Sequence, residues 1–200
     1  MVETTEAQKD HIYIFCYGSN GPRQLCERIG AEYKDLMTRT LPAIAKGWLR
    51  GFKSLAVTWG GCSTATIWET GKQEDTVCGT IVKMTPEEVA SLDPYEAYPW
   101  KYYRKVIKVT AYKAGPTAES PLEAVEVDCQ PYIIVEDQYN EFADPSPAYK
   151  LACCKTIYTA RRLLGKGDDR DINLKIYNAA TKELTSEFKH TITDKDIEEL

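Results

Sequence analysis

The chain has 200 residues, 43% hydrophobic and 28% charged, the profile of one globular domain or of one domain with an appendage. Thirty acidic against 25 basic residues leave a net charge of −5 and no basic stripe, which excludes nucleic acid and anionic membranes as expected partners. The longest apolar runs, such as Ile12 to Cys16, are far too short to span a bilayer.

Residues 1–10 are polar, without the apolar core of a signal peptide, and read as a leader ahead of the domain. A cytoplasmic location is therefore expected, with the seven cysteines kept reduced. Their positions form no Cys-x-x-Cys pair, and His11 and His190 are the two histidines, so no metal site is expected.

His11 to Cys16 predicts a buried strand that stops at Tyr17-Gly18-Ser19-Asn20-Gly21-Pro22, a dense run of turn formers. Arg23 to Ile29 predicts a short helix with Leu25, Cys26 and Ile29 on one face. From Leu41 to Glu69 the pattern is β, interrupted at Gly60-Gly61 as by a hairpin turn, and Val77 to Met84 is another strand. Thr85-Pro86-Glu87-Glu88 combines a capping box with proline at the first helical position, and the helix falters at Pro94. Strands are expected over Tyr103 to Tyr112 and Glu123 to Val135. Ser146-Pro147 opens a helix from Ala148 to Leu164, and Lys166 to Arg170 breaks it. The remainder, to Leu200, is polar and ends in a short helix from Asp194. Strands outnumber helices, which predicts an α+β fold: one domain on a small curved mixed sheet or barrel with peripheral helices. The expected division is 1–10 leader, 11–165 domain and 166–200 polar C-terminal extension.

Isolated histidines make a Ser-His-Asp or Cys-His arrangement hard to assemble, and no Gly-rich nucleotide loop is present. Acid–base work then falls to a carboxylate. Three segments stand out. The Tyr17-Gly18-Ser19-Asn20 turn can point several backbone amides into one space, a cradle for a carboxylate or an oxyanion, or it can be an ordinary turn with Asn20 as N-cap. Glu96 follows Asp93 and Pro94 and precedes the aromatic stretch Tyr98, Trp100, Tyr102 and Tyr103. Burial among those rings would make it a base near neutral pH, whereas exposure would leave it an ordinary surface acid. Pro145-Ser146-Pro147-Ala148-Tyr149 is a stiff helix entry that fixes Tyr149, either toward a site or into the core.

Together and in this order, the three segments resemble the γ-glutamylcyclotransferase family, in its branch acting on γ-glutamyl amino acids. Tyr17-Gly18-Ser19-Asn20 matches the family's substrate loop, and Val77 through Leu92-Asp93 to Glu96 matches the segment carrying its glutamate. Tyr103 falls at its tyrosine seven residues on, and Cys129 to Tyr132 with Pro145 to Tyr149 is similar to its C-terminal third. Gly21-Pro22 stands where the family usually has Leu after Asn, and Ala97 where Gly is common.

The resemblance implies a cofactor-independent cyclisation. The substrate's α-amino group attacks its own γ-carbonyl, giving 5-oxoproline and a free amino acid. Glu96 would be the catalytic base. Tyr17, Gly18, Ser19, Asn20, Gly21, Tyr103 and Tyr149 would bind the small-molecule γ-glutamyl substrate. It also implies a homodimer. Three alternatives stand beside it: action on γ-glutamylamines or as an acyltransferase, a non-catalytic module that binds a small carboxylate, and a thiol redox protein using Cys153 and Cys154.

Overall fold

The structure, a computed structural model, describes residues 11–115 and 120–200. The expected leader, residues 1–10, lies outside the described residues. Eleven strands and five helices are present among the described residues. A five-stranded antiparallel sheet has the order β1 (Ile12–Cys16), β5 (Thr76–Met84), β2 (Thr40–Lys46), β7 (Ile107–Lys113), β8 (Glu123–Cys129). It curls until its first and last strands touch. Gln130, just after β8, donates to Tyr13 O (2.7 Å), and Phe15 N donates to Gln130 O (3.3 Å).

That closure explains the unbroken apolar character of β1. A strand buried on both faces has no polar side to alternate. Ile14 and Cys16 enter a core with Leu25, Val82, Leu92 and Tyr132, while Phe15 and Tyr17 enter the main core with Phe52, Tyr149 and Ile157. Close packing is strict at Gly79, where an added Cβ would lie 2.3 Å from the carbonyl oxygen of Cys16.

The second sheet runs β11 (Glu183–Thr191), β10 (Asp171–Asn178), β3 (Trp48–Ala56), β4 (Cys62–Glu69); β6 (Tyr102–Arg104) pairs with β9 (Tyr132–Ile134). Several expected strands are therefore cut. Gly47, at φ 80°, separates β2 from β3, and a turn over Val57–Trp59 followed by Gly60 and Gly61, both at positive φ, closes the β3–β4 hairpin. Pro131, without an N–H for a ladder, divides β8 from β9. Residues 171–200, expected as a polar extension, form β10, β11 and α5 (Asp194–Glu198), with Ile172, Leu174 and Ile176 buried. Ala179 N donates to Phe52 O (3.0 Å), tying this hairpin to β3.

The helices are α1 (Pro22–Ile29), α2 (Tyr33–Thr38), α3 (Pro86–Leu92), α4 (Pro147–Leu163) and α5. The capping box of α3 forms as its sequence predicts: Glu88 N donates to Thr85 Oγ1 (3.2 Å) and Thr85 N to Glu88 Oε2 (2.9 Å). Arg39, just after α2, clamps the same carboxylate with both guanidinium nitrogens, at 2.6 and 2.7 Å. Ser146 caps α4, its hydroxyl accepting from Tyr149 N (3.3 Å).

Candidate active site

Two adjoining hollows lie where β1 runs out, and Ser19, Glu96, Tyr102 and Tyr149 line both. The inner one, about 30 Å³, is floored by Tyr17, Gly18 and Asn20; the outer, about 250 Å³, is bounded by Arg28, Trp59, Thr64 and Lys101.

Glu96 reaches this cavity because α3 cannot continue. The chain tightens into a 3₁₀ turn over Asp93–Glu96, with Pro94 in its first turn, and Ala97 then reverses it in the left-handed region (φ 48°). Asp93 ends α3 as its C-cap, and its carboxylate accepts from Tyr132 Oη (2.6 Å) and Arg104 Nη2 (3.4 Å). The turn is thereby pinned to β9 and β6.

The Glu96 side chain is 12% exposed. Its Oε1 accepts from Arg28 Nη1 (2.8 Å) and Asn20 Nδ2 (3.1 Å), and Arg28 Nη1 also donates to Asn20 Oδ1 (2.6 Å). Oε2 has no protein hydrogen-bond partner among the described residues. Burial raises the carboxyl above the ordinary glutamate range, although Arg28, Asn20 and Lys101 all oppose it. Dehydration prevails over the nearby cations, and a carboxylate so placed has one oxygen anchored and the other available to a proton.

The loop after β1 is held by its neighbours. Gly18 packs so closely that an added Cβ would lie 3.1 Å from Ala65 Cβ and 3.5 Å from the Tyr149 hydroxyl. Tyr149 Oη accepts from Ala65 N (2.8 Å), while its ring packs edge-on against Trp59 (4.9 Å) and Phe52 (6.4 Å). Tyr17 Oη donates to the carbonyl of Tyr132. The amides of Gly18, Ser19 and Asn20 have no protein partner among the described residues, whereas Gly21 N donates to Ser19 O (2.7 Å).

Of the residues singled out in the sequence, Glu96, Tyr17, Gly18, Ser19, Asn20 and Tyr149 meet at the inner hollow. Gly21 frames the loop with its amide occupied, and it rather than Asn20 is the N-cap of α1. Asn20 spends its side chain on Glu96 and Arg28 instead of on the helix. Tyr103 is not among the lining residues: successive strand residues face opposite ways, and its neighbour Tyr102 takes the cavity side. Tyr102 Oη meets Thr64 Oγ1 (2.9 Å) and donates to Ala65 O (3.2 Å).

Arg28 and Lys101 also line the outer hollow without having been singled out in the sequence, and Tyr102, noted there only as one of the aromatic stretch, lines both. A basic residue on a helix beginning at the loop was the one signal for Arg28. Cys153 and Cys154 are buried on α4, and burial pushes their thiols up to about 12 and about 11, which suppresses the thiolates a redox role needs. Among the described residues, no group of three His, Cys, Asp or Glu is placed to hold a metal ion, and no helix is long and apolar enough to cross a membrane.

A dehydrated carboxylate and a loop of unpartnered amides share one hollow on a curled α+β scaffold, an arrangement with the means for acid–base chemistry on a small polar ligand. The chain belongs to the gamma-glutamyl cyclotransferase, AIG2-like family, whose model matches residues 14–150. Among solved structures, it is similar to uncharacterized protein loc79017 from Homo sapiens, with 21% identity, 95% of this chain and 98% of that one covered, and a TM-score of 0.59. It is also similar to a structure described as gamma-glutamyl cyclotransferase, with 21% identity, 94% and 97% covered, and a TM-score of 0.56. Likeness at that identity establishes the shared fold. Among curated proteins, no sequence matches the chain.

Proposed function

We propose that the protein cyclises the γ-glutamyl group of γ-glutamyl amino acids to 5-oxoproline and releases the free amino acid. The observation that carries this reading is Glu96: a buried carboxylate of raised pKa, with Oε2 unpartnered, beside the free amides of the substrate loop. The family match over residues 14–150 supports it.

The reaction needs no nucleophilic side chain, because both reacting groups belong to the substrate. The α-amino nitrogen bonds to the γ-carbonyl carbon and closes a five-membered lactam, and the original amide C–N bond breaks. Glu96 Oε2 relays to the departing nitrogen the two protons that the α-nitrogen sheds, one as the ammonium becomes the attacking amine and one as the new C–N bond becomes a lactam N–H, a contribution of about 10²–10⁴-fold. Proximity supplies much of the remaining barrier reduction, provided the glutamyl chain is held curled. Amides of Gly18, Ser19 and Asn20 receive the α-carboxylate or the developing oxyanion. Arg28 and Asn20 fix the direction of Glu96, and Tyr17 and Tyr149 form the wall against which the glutamyl chain folds. Residues 11–165 carry this chemistry and residues 166–200 stay outside it. The scheme calls for no cofactor.

Seven free cysteines support a reducing, cytoplasmic setting. A homodimer follows from the resemblance alone and is tested by sedimentation. The activity is tested by incubating the purified protein with a γ-glutamyl dipeptide. Equal amounts of 5-oxoproline and free amino acid by mass spectrometry are expected. A ligand-induced rise in Tm without product would instead reveal a carboxylate-binding module.

A further inference from the structure

The outer cavity holds a second cation that the proton transfer leaves unused. Lys101 follows Glu96 by five residues, and its backbone is fixed on both sides. Its amide donates to Ala97 O (2.9 Å) and its carbonyl accepts from Val135 N (3.0 Å). Lys101 is therefore carried by the same reversal of the chain that aims Glu96.

The side chain is half-buried along the cavity wall. Its ammonium lies 5.8 Å from the centre of the Tyr102 ring and donates to the carbonyl of Leu55 (3.3 Å), at the end of β3. An ammonium has three N–H donors, so two remain without a protein partner among the described residues. Burial lowers its pKa, while Glu96 and Glu141 act in the opposite sense. Arg28 has another task, since its Nη1 holds Glu96 and Asn20 while its guanidinium stacks over Tyr95. A partly dehydrated cation with spare donors, opening on the reactive carboxylate, is suited to an anionic group of the bound ligand.

A γ-glutamyl amino acid carries two carboxylates. The loop amides can take the glutamyl one, and the other sits on the carbon next to the leaving nitrogen. We propose that Lys101 binds the α-carboxylate of the leaving amino acid, so that the pocket selects γ-glutamyl amino acids over γ-glutamylamines. This inference rests on the cyclotransferase reading and names the leaving group that the reading requires. Glutathione, whose cysteine carboxyl is tied up in a peptide bond, presents a neutral carbonyl there and ranks below γ-glutamylcysteine.

The test uses γ-glutamylalanine and γ-glutamylethylamide, which differ only by the carboxylate. Wild-type protein is expected to favour the alanine compound by about 10–100-fold in kcat/KM, the range of a charged hydrogen bond. In Lys101→Met that ratio falls to near one, and Lys101→Arg keeps most of it. A Lys101→Met protein that retains the ratio, or that slows both compounds equally, overturns the assignment. Equal rates on both compounds in the wild type overturn it while leaving the cyclotransferase reading intact. No 5-oxoproline from either compound removes both.

Discussion

The pocket at the end of β1 and the C-terminal hairpin are held by different physics. Around Glu96 the contacts are polar, dehydrated and distant in sequence: Arg28 reaches it across 68 residues and Asn20 across 76. In β10 the contacts are apolar and periodic, with Ile172, Leu174 and Ile176 turned inward and the residues between them exposed. The polar network sets the direction and basicity of one group, and such networks matter most when every member is satisfied. The periodic strand adds buried area and tolerates local change elsewhere. A substitution in the first region is thus read mainly in rate, and one in the second mainly in stability.

The largest expected effect is at Glu96. Glu96→Gln keeps the side chain's size and a hydrogen-bonding oxygen for Arg28, yet loses about 10²–10⁴-fold in kcat, measured by 5-oxoproline release. Leu174→Ala breaks the comparison from the other side. It costs about 2–5 kcal/mol in a urea titration, and kcat stays at the wild-type value. A fall in kcat there would place the hairpin inside the chemistry.

Arg28→Met sharpens the electrostatic half of the account. Burial raises the Glu96 pKa and Arg28 is the first counterweight, so removing the cation raises it further. The acidic limb of kcat/KM against pH consequently moves to higher pH, and an unmoved limb would deny Arg28 that role.

The smallest effect is at Asp196 in the cap of α5. Burial works to raise its pKa, but the Thr193 amide and hydroxyl and His190 outweigh it and hold it at about 2. Such a depressed carboxylate stabilises the fold fully above its unfolded value of about 3.9. That contribution is lost as pH falls through about 2. Asp196→Asn is therefore expected to cost about 1 kcal/mol at neutral pH, the usual worth of a cap. The gap to wild type closes in strong acid, which a denaturant series across pH would record.

The same contrast explains what the sequence revealed. The capping box at Thr85 and Glu88, the cap at Ser146 and the buried run of β1 are local patterns, and each is read from a few adjacent residues. The short helix α2 has no side-chain cap at Glu32 and so gave no start signal. β10 does alternate in Asp-Ile-Asn-Leu-Lys-Ile, but charge and polarity on its exposed face masked the period. β11 is exposed almost throughout and carries no apolar stripe. At the site, Glu96 and the loop announced themselves by residue type and order. Arg28 could not, because its partner is chosen by the fold. Tyr102 and Tyr103 differ by one step of register, and that step, fixed by the pairing of Tyr102 with Ile134, decides which ring faces the cavity.

The most direct measurement of the proposed base is the pH dependence of kcat/KM for a γ-glutamyl dipeptide, taken on wild type and on Glu96→Gln. The account predicts an acidic limb in the wild type that lies above the ordinary glutamate range and is absent from the residual activity of the variant. An acidic limb of unchanged position in Glu96→Gln would show that another group takes the proton.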